Sequence, residues 1–313
     1  MLLSVSSPRW REGRNGVTAG LPSVARSQKR SPVKGVGNVL SFCIFFLSCC
    51  FCITVPAFNF GFGRSRPTVA AASRVADDSG KGPRLFLDTG DIAEWERCLP
   101  LGIFCGLTTN PVLLERAGVP CTLPHIKGLL GRALDFHGTE EVMFQAWGED
   151  VEGLVSTGRS LRDLDPLRVV VKLPLTVAGV KAAAELRRSG EETRVCMTAC
   201  YSSKQGLVAA GLGAEYIAPY LGRMSDLAAA DGKQGSGLKE CALLQQAISG
   251  LGAKTRVLVA SIRSADQMTE LAAQGCDTFT FSPRICDELF SVDATVAAAA
   301  EFERAARALQ DRS

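Results

Sequence analysis

From Pro83 onward, short apolar runs rich in β-branched and aromatic residues alternate with stretches of helical periodicity. The runs are LFLDT (85–89), IFCGLTTN (103–110), EVMFQAWG (141–148), VVVKLPL (169–175), RVCMTACY (194–201), AEYIAPYL (214–221), RVLVASIR (256–263) and TFTFSP (278–283). Between and after them lie helix-like segments such as DIAEWERCL (91–99), EGLVSTGRSLRDL (152–164), VAGVKAAAELRRSG (177–190), LKECALLQQAISGLG (238–252) and VDATVAAAAEFERAARAL (292–309). Several stop at glycine, as helix C-termini do. Eight strand–helix alternations predict a (β/α)8 TIM barrel over residues 83–313. An open doubly wound sheet is the competing architecture, but no glycine-rich dinucleotide fingerprint follows the first strand.

In such barrels the chemistry sits at the C-terminal ends of the strands. The polar residues there are Asp88, Thr108, Thr109, Asn110, Gln145, Lys172, Thr198, Tyr220, Ser261 and Arg263, with Arg223 just beyond the sixth strand. Lys172 stands out, because VVVKLPL otherwise reads as a strand buried on both faces. Burial disfavours the ammonium form of a lysine, and a neutral amine attacks a ketone to form a Schiff base. The bland alternative is a rim lysine that snorkels to water. Asp88 is placed to exchange a proton with a substrate hydroxyl, or to cap the helix starting near Asp91. Asn110 precedes Pro111, so TTNP is also a plausible helix start. Gln145 and Thr198 suit a water-holding network to which Tyr220 adds a phenol. Arg223 and Arg263, with Ser261, suit a phosphate clamp, against the alternative of surface ion pairs.

Composition narrows the chemistry. The chain has 313 residues, 46% apolar and 21% charged, which is globular. Residues 1–82 hold 11 Lys+Arg and 3 Asp+Glu, and the remainder 24 and 29. The mildly acidic body does not suggest a nucleic-acid surface. Only two histidines exist, His125 and His137, and the 12 cysteines include no CxxC pair outside the apolar run near the N-terminus. A metal site, a metal-dependent aldolase and a His-based triad are poorly supplied, and no cofactor is expected. The scattered cysteines fit small core residues in a reducing compartment.

Residues 1–82 read as a targeting presequence. A basic, Ser/Gly/Pro-rich start leads into an uncharged apolar segment, 40–56, followed by Arg64, Arg66, Arg74 and small residues. A signal-like run followed by a transit-like run suggests two-step import, and VPAF (55–58) resembles the cleavage region of presequences for secondary plastids. The expected location is a plastid, with membrane contact only through 40–56 before processing. A retained membrane anchor, or another organelle, is the alternative.

LFLDTGD, GLTTNP, VVVKLPLT, AEYIAPYLGR and VLVASIR together resemble, in order, the motifs of the transaldolase family. The likeness is greatest to its small subfamily that includes fructose-6-phosphate aldolase. The resemblance implies a class I mechanism with Lys172 as the Schiff-base lysine, Asp88 as acid/base and Thr198 in the catalytic-water network. It also implies Asn110 as substrate-binding, and Ser261, Arg263 and Arg223 as phosphate contacts. The donor it implies is a ketose phosphate such as fructose 6-phosphate. Gln145 and Tyr220 are aldolase-like choices where transaldolases usually carry Glu and Phe, while Trp147 and Gly148 depart from both patterns. Release of dihydroxyacetone is therefore the leading expectation. Transfer to erythrose 4-phosphate, in the pentose phosphate pathway, and a non-catalytic sugar-phosphate-binding barrel are the alternatives. The resemblance further implies a homo-oligomer.

Overall fold

The computed structural model describes residues 82–188, 193–230 and 236–310. Apart from Gly82, the expected targeting segment lies outside them. Eight parallel strands close a barrel in chain order: β1 Arg84–Asp88, β2 Gly106–Thr108, β3 Glu141–Gln145, β4 Val169–Pro174, β5 Val195–Cys200, β6 Tyr216–Pro219, β7 Arg256–Val259 and β8 Thr278–Phe281. Closure is by β8 on β1, with Arg84 opposite Thr278 and Phe86 opposite Thr280. The helices are α1 Ile92–Cys98, α2 Pro111–Arg116, α3 Leu123–Leu134, α4 Val151–Arg162, α5 Val177–Arg188, α6 Gln205–Leu212, α7 Leu221–Ala230, α8 Ser236–Gly250, α9 Ala265–Ala272, α10 Pro283–Phe290 and α11 Asp293–Gln310.

Strand side chains alternate between two cores, as the pleat requires. Val169, Val171 and Leu173 face outward into the layer between sheet and helices, with Leu87, Phe144 and Met197. Val170 faces the axis with Phe86, Met143, Cys196, Tyr216 and Leu258. Lys172 shares the parity of Val170, so its side chain enters the barrel interior, where it is 4% exposed. Its apolar chain neighbours Val171 and Leu173 therefore lie on the opposite face of the strand.

The floor of the barrel, at the N-terminal strand ends, is ionic. Glu141, 7% exposed, accepts from Arg194 Nη2 at 2.5 Å and from the Tyr216 phenol at 2.8 Å. Arg84 Nη2 lies 3.0 Å from the same carboxylate. That contact is Coulombic, since Nε and Nη2 of Arg84 are buried without a hydrogen-bond partner among the described residues.

Two helices differ from the sequence expectation. α7 begins two residues after β6, inside AEYIAPYL, and α10 grows directly out of TFTFSP with Pro283 in its first turn. The alanine-rich α11 is helical as expected, and all its side chains are at least partly exposed, including Val296, Phe302 and Leu309. Among the described residues no helix is long and apolar enough to cross a membrane.

Candidate active site

A cavity of about 190 Å³ opens at the C-terminal strand ends, with Lys172, Asp88, Asn110 and Tyr220 in its lining. Lys172 Nζ donates to the Thr109 carbonyl oxygen at 2.9 Å. That bond crosses the interior from β4 to the end of β2. Cys196 lies beside Lys172 in the β4–β5 register. Burial pushes its thiol up to about 12, against the pull of the lysine's charge, so it is a neutral neighbour at physiological pH.

Asp88 ends β1 and is no helix cap: Asp91 caps α1 by accepting from Ala93 N–H. The Asp88 carboxylate instead accepts from Thr108 Oγ1 at 2.6 Å, and Thr108 Oγ1 lies 2.5 Å from Thr280 Oγ1. Thr108 has one hydroxyl proton and gives it to the carboxylate, so Thr280 must be the donor to Thr108. Both hydroxyls are buried. Asn110 caps α2, its Oδ1 accepting from Val112 and Leu113 N–H at 3.0 and 3.1 Å, which leaves its NH2 to offer the cavity.

On the opposite wall, Thr198 Oγ1 and Tyr220 Oη are 3.0 Å apart. The Tyr220 ring packs edge-on against Tyr201, centroids 5.7 Å apart, and carries the Arg223 guanidinium 5.0 Å above its face. Arg223 also donates to Tyr201 Oη at 3.5 Å, and that contact holds its pKa above the ordinary value. Two non-glycine residues of this wall have positive φ: Ala199, directly after Thr198, at 56°, and Ser261 at 59°. Such backbone costs on the order of 1–3 kcal/mol each and concentrates at functional sites. Gly222 lets the start of α7 lie against Ser261; a Cβ there would meet Ser261 O and Arg263 Nε, each at 2.4 Å.

Residues 85–312 match the family described as Transaldolase/Fructose-6-phosphate aldolase. The chain belongs to this family. A probable transaldolase of Kosmotoga olearia is 35% identical over 207 residues, covering 66% of this chain and 88% of that protein. Probable transaldolases of Aquifex aeolicus and Anaeromyxobacter dehalogenans are 32% and 34% identical, each again covering 66% of this chain and 88% of theirs. The protein is thus an enzyme of the transaldolase/aldolase type.

Among the residues nominated from sequence, Lys172, Asp88, Asn110, Tyr220, Arg223 and Ser261 line one cavity. Thr198 joins them through Tyr220. Gln145 pairs in register with Lys172 at the end of β3 and is partly buried. The Thr109 side chain is turned to the Met143 carbonyl, and its contribution to the site is its own carbonyl oxygen. Arg263 is absent from the cavity lining and forms an exposed ion pair with Asp226 at 2.6 Å. Three contributors were not nominated as such. Thr280 backs Thr108, Tyr201 seats Tyr220 and Arg223, and Arg116 lines the cavity from α2. The spacing Asn110, Leu113, Arg116 is the signal that could have found the last of these, since residues three apart share a helix face.

Proposed function

We propose that the enzyme cleaves a ketose phosphate such as fructose 6-phosphate through a Schiff base on Lys172. The observation that carries this reading is an amine almost wholly buried on the barrel axis that nevertheless lines the cavity, with a carboxylate and a hydroxyl pair on facing walls. The Lys172 amine adds to the C2 carbonyl, and loss of water leaves a protonated imine. Asp88, fixed by Thr108, accepts the proton of the C4 hydroxyl as the C3–C4 bond breaks. The bonding pair passes into the imine as an electron sink, glyceraldehyde 3-phosphate departs, and a dihydroxyacetone enamine stays on the lysine. The Thr198–Tyr220 pair, with Gln145 on the neighbouring strand, holds the water that hydrolyses the imine once C3 is protonated.

Gln145 and Tyr220 favour release of free dihydroxyacetone over transfer. A phenol can trade a proton with that water, while an amide cannot do what a carboxylate does. The second reading, transfer of the three-carbon unit to erythrose 4-phosphate, draws support from the relatives, each named a probable transaldolase. Product analysis with fructose 6-phosphate, with and without erythrose 4-phosphate, separates the two. Dihydroxyacetone formed without acceptor is the expected result. Sedoheptulose 7-phosphate formed only with acceptor would overturn the release reading. Neither product would point to a sugar-phosphate-binding barrel.

We also infer that residues 1–82 direct the enzyme to a plastid, to be checked by N-terminal sequencing of the native protein. Retention of 40–56 would instead indicate a membrane anchor. Assembly as a homo-oligomer is supported by the exposed apolar side chains of α11.

A further inference from the structure

The barrel closes where β8 pairs with β1, a seam between strands from the two ends of the described chain. The helices that follow those strands, α1 and α10, pack against each other. Their contact carries two features side by side. Arg97 of α1 is in an ion pair with Asp287 of α10 at 2.5 Å, with side chains 52% and 56% exposed. One position away on each helix, Cys98 and Cys286 are 0% and 1% exposed and share the outer core. Each thiol is therefore buried, yet one chain position from a group at the surface. Neither lines the active-site cavity.

Both cysteines are free, and their thiols form a hydrogen bond in which Cys286 is the donor. Burial pushes both thiols up, Cys286 to about 11. At Cys98 the charge of Arg97 and the bond from Cys286 act against that rise. Cys98 is thus the sulfur on which a thiolate is favoured, and Cys286 is in place as the second thiol. Sulfurs in contact need only a small adjustment to reach the roughly 2 Å of a disulfide.

We propose that Cys98 and Cys286 are a redox pair that a peroxide oxidises to a disulfide, fastening the barrel across the β8–β1 seam. The proposal is independent of the reaction assigned above. The Cys98 thiolate attacks the O–O bond, becoming a sulfenic acid and releasing hydroxide. The Cys286 sulfur then displaces the sulfenic oxygen, which leaves as water. In sum, two thiols lose two electrons and two protons, and one hydrogen peroxide becomes two waters. The oxidant is small and uncharged, which suits a buried pair. The link joins positions 98 and 286, so it removes from the unfolded chain the freedom of a loop that spans most of the barrel.

The test uses the full chain, reduced with dithiothreitol, desalted and treated with hydrogen peroxide. Free thiols are alkylated, peptides are mapped without reduction by mass spectrometry, and calorimetry gives the Tm. The expected result is a peptide linked through Cys98 and Cys286, with a Tm about 5–10 °C above that of the reduced protein. Dithiothreitol should reverse both, and Cys286→Ala should show neither. The linked peptide and its reversal are read on the wild type, so they stand even if Cys286→Ala folds poorly. Alkylation of both residues after peroxide would overturn the proposal, as would a sulfinic or sulfonic acid on Cys98 with no link. A link of Cys241 to Cys200 or Cys276 in its place would do the same. A Cys98–Cys286 link that moves the Tm by less than 2 °C would overturn the fastening of the seam.

Discussion

Replacing Glu141 with glutamine should destabilise the barrel while sparing its chemistry. Glu141 sits at the floor, the opposite end from Lys172, and neutralises two guanidinium groups while accepting from a buried phenol. Burial and the charge of Glu141 push the Tyr216 phenol well above its ordinary pKa, so it remains a donor at any physiological pH. In the variant, Arg194 keeps Glu215 as a partner. Among the described residues Arg84 keeps only Glu140 as an acidic partner, at 3.4 Å, whose side chain is 59% exposed. An exposed partner of that kind contributes about 0–1 kcal/mol, so Arg84 is left close to uncompensated. Breaking a buried pair from one side costs about 3–5 kcal/mol. One of the two cations retains a partner here, so the lower end applies, about 3 kcal/mol. For a barrel of this size that is a Tm lower by roughly 6–12 °C. Differential scanning calorimetry of wild type, Glu141→Gln and Tyr216→Phe measures it, with the phenol deletion expected to cost less because it removes one hydrogen bond and no charge. Turnover at 25 °C should stay within twofold. A Tm within 2 °C of wild type would refute the reasoning and mean that the floor charges are screened by water.

Three further outcomes follow from the same geometry. Gly222→Ala should lower activity without touching substrate, since its Cβ would press on Ser261 O at 2.4 Å and shift the wall that carries Ser261 and Arg223; overpacking of this kind costs about 1–3 kcal/mol, read as a lower Tm together with a higher KM. Thr280→Val should slow cleavage by roughly five- to tenfold at unchanged KM, because Thr108 loses its donor and holds Asp88 less well; an unchanged kcat would remove Thr280 from the account. Burial pushes the Cys105 and Cys196 thiols from near 9.0 up to about 12. Between those values the unfolded chain loses these protons and the folded one keeps them, so stability is intact below pH 9 and falls as pH rises towards 12. The fall is about 1.4 kcal/mol per pH unit for each thiol, and alkaline denaturation midpoints measured from pH 8 to 11 check the sign.

The barrel and most of the mouth could be read from the chain because they depend on short-range periodicity. Parity along VVVKLPL is enough to turn Lys172 inward once Val169 and Val171 are known to face helices. The same rule misplaces Cys200: the positive φ at Ala199 and the register shift between Met197 and Cys200 break the period-two count. Cys200 then packs in the outer layer, with its thiol on Ser202 O, whereas Cys196 keeps the inward face beside Lys172. α7 was hidden because LGRMSDLAAA continues the apolar composition of the strand before it, and α10 because its start, Ser282–Pro283, also reads as a strand terminus. The contacts of Glu141 with Arg84, Arg194 and Tyr216 and the Thr108–Thr280 bond join residues between 53 and 172 positions apart in the chain, and no local pattern announces such contacts.

The central claim is the covalent role of Lys172. Incubating the protein with fructose 6-phosphate and borohydride, followed by peptide mass spectrometry, tests it directly. The account predicts a reduced three-carbon adduct on the peptide containing Lys172, with activity lost in parallel and no adduct in Lys172→Ala. Full activity after borohydride, or an adduct on a different lysine, would contradict it.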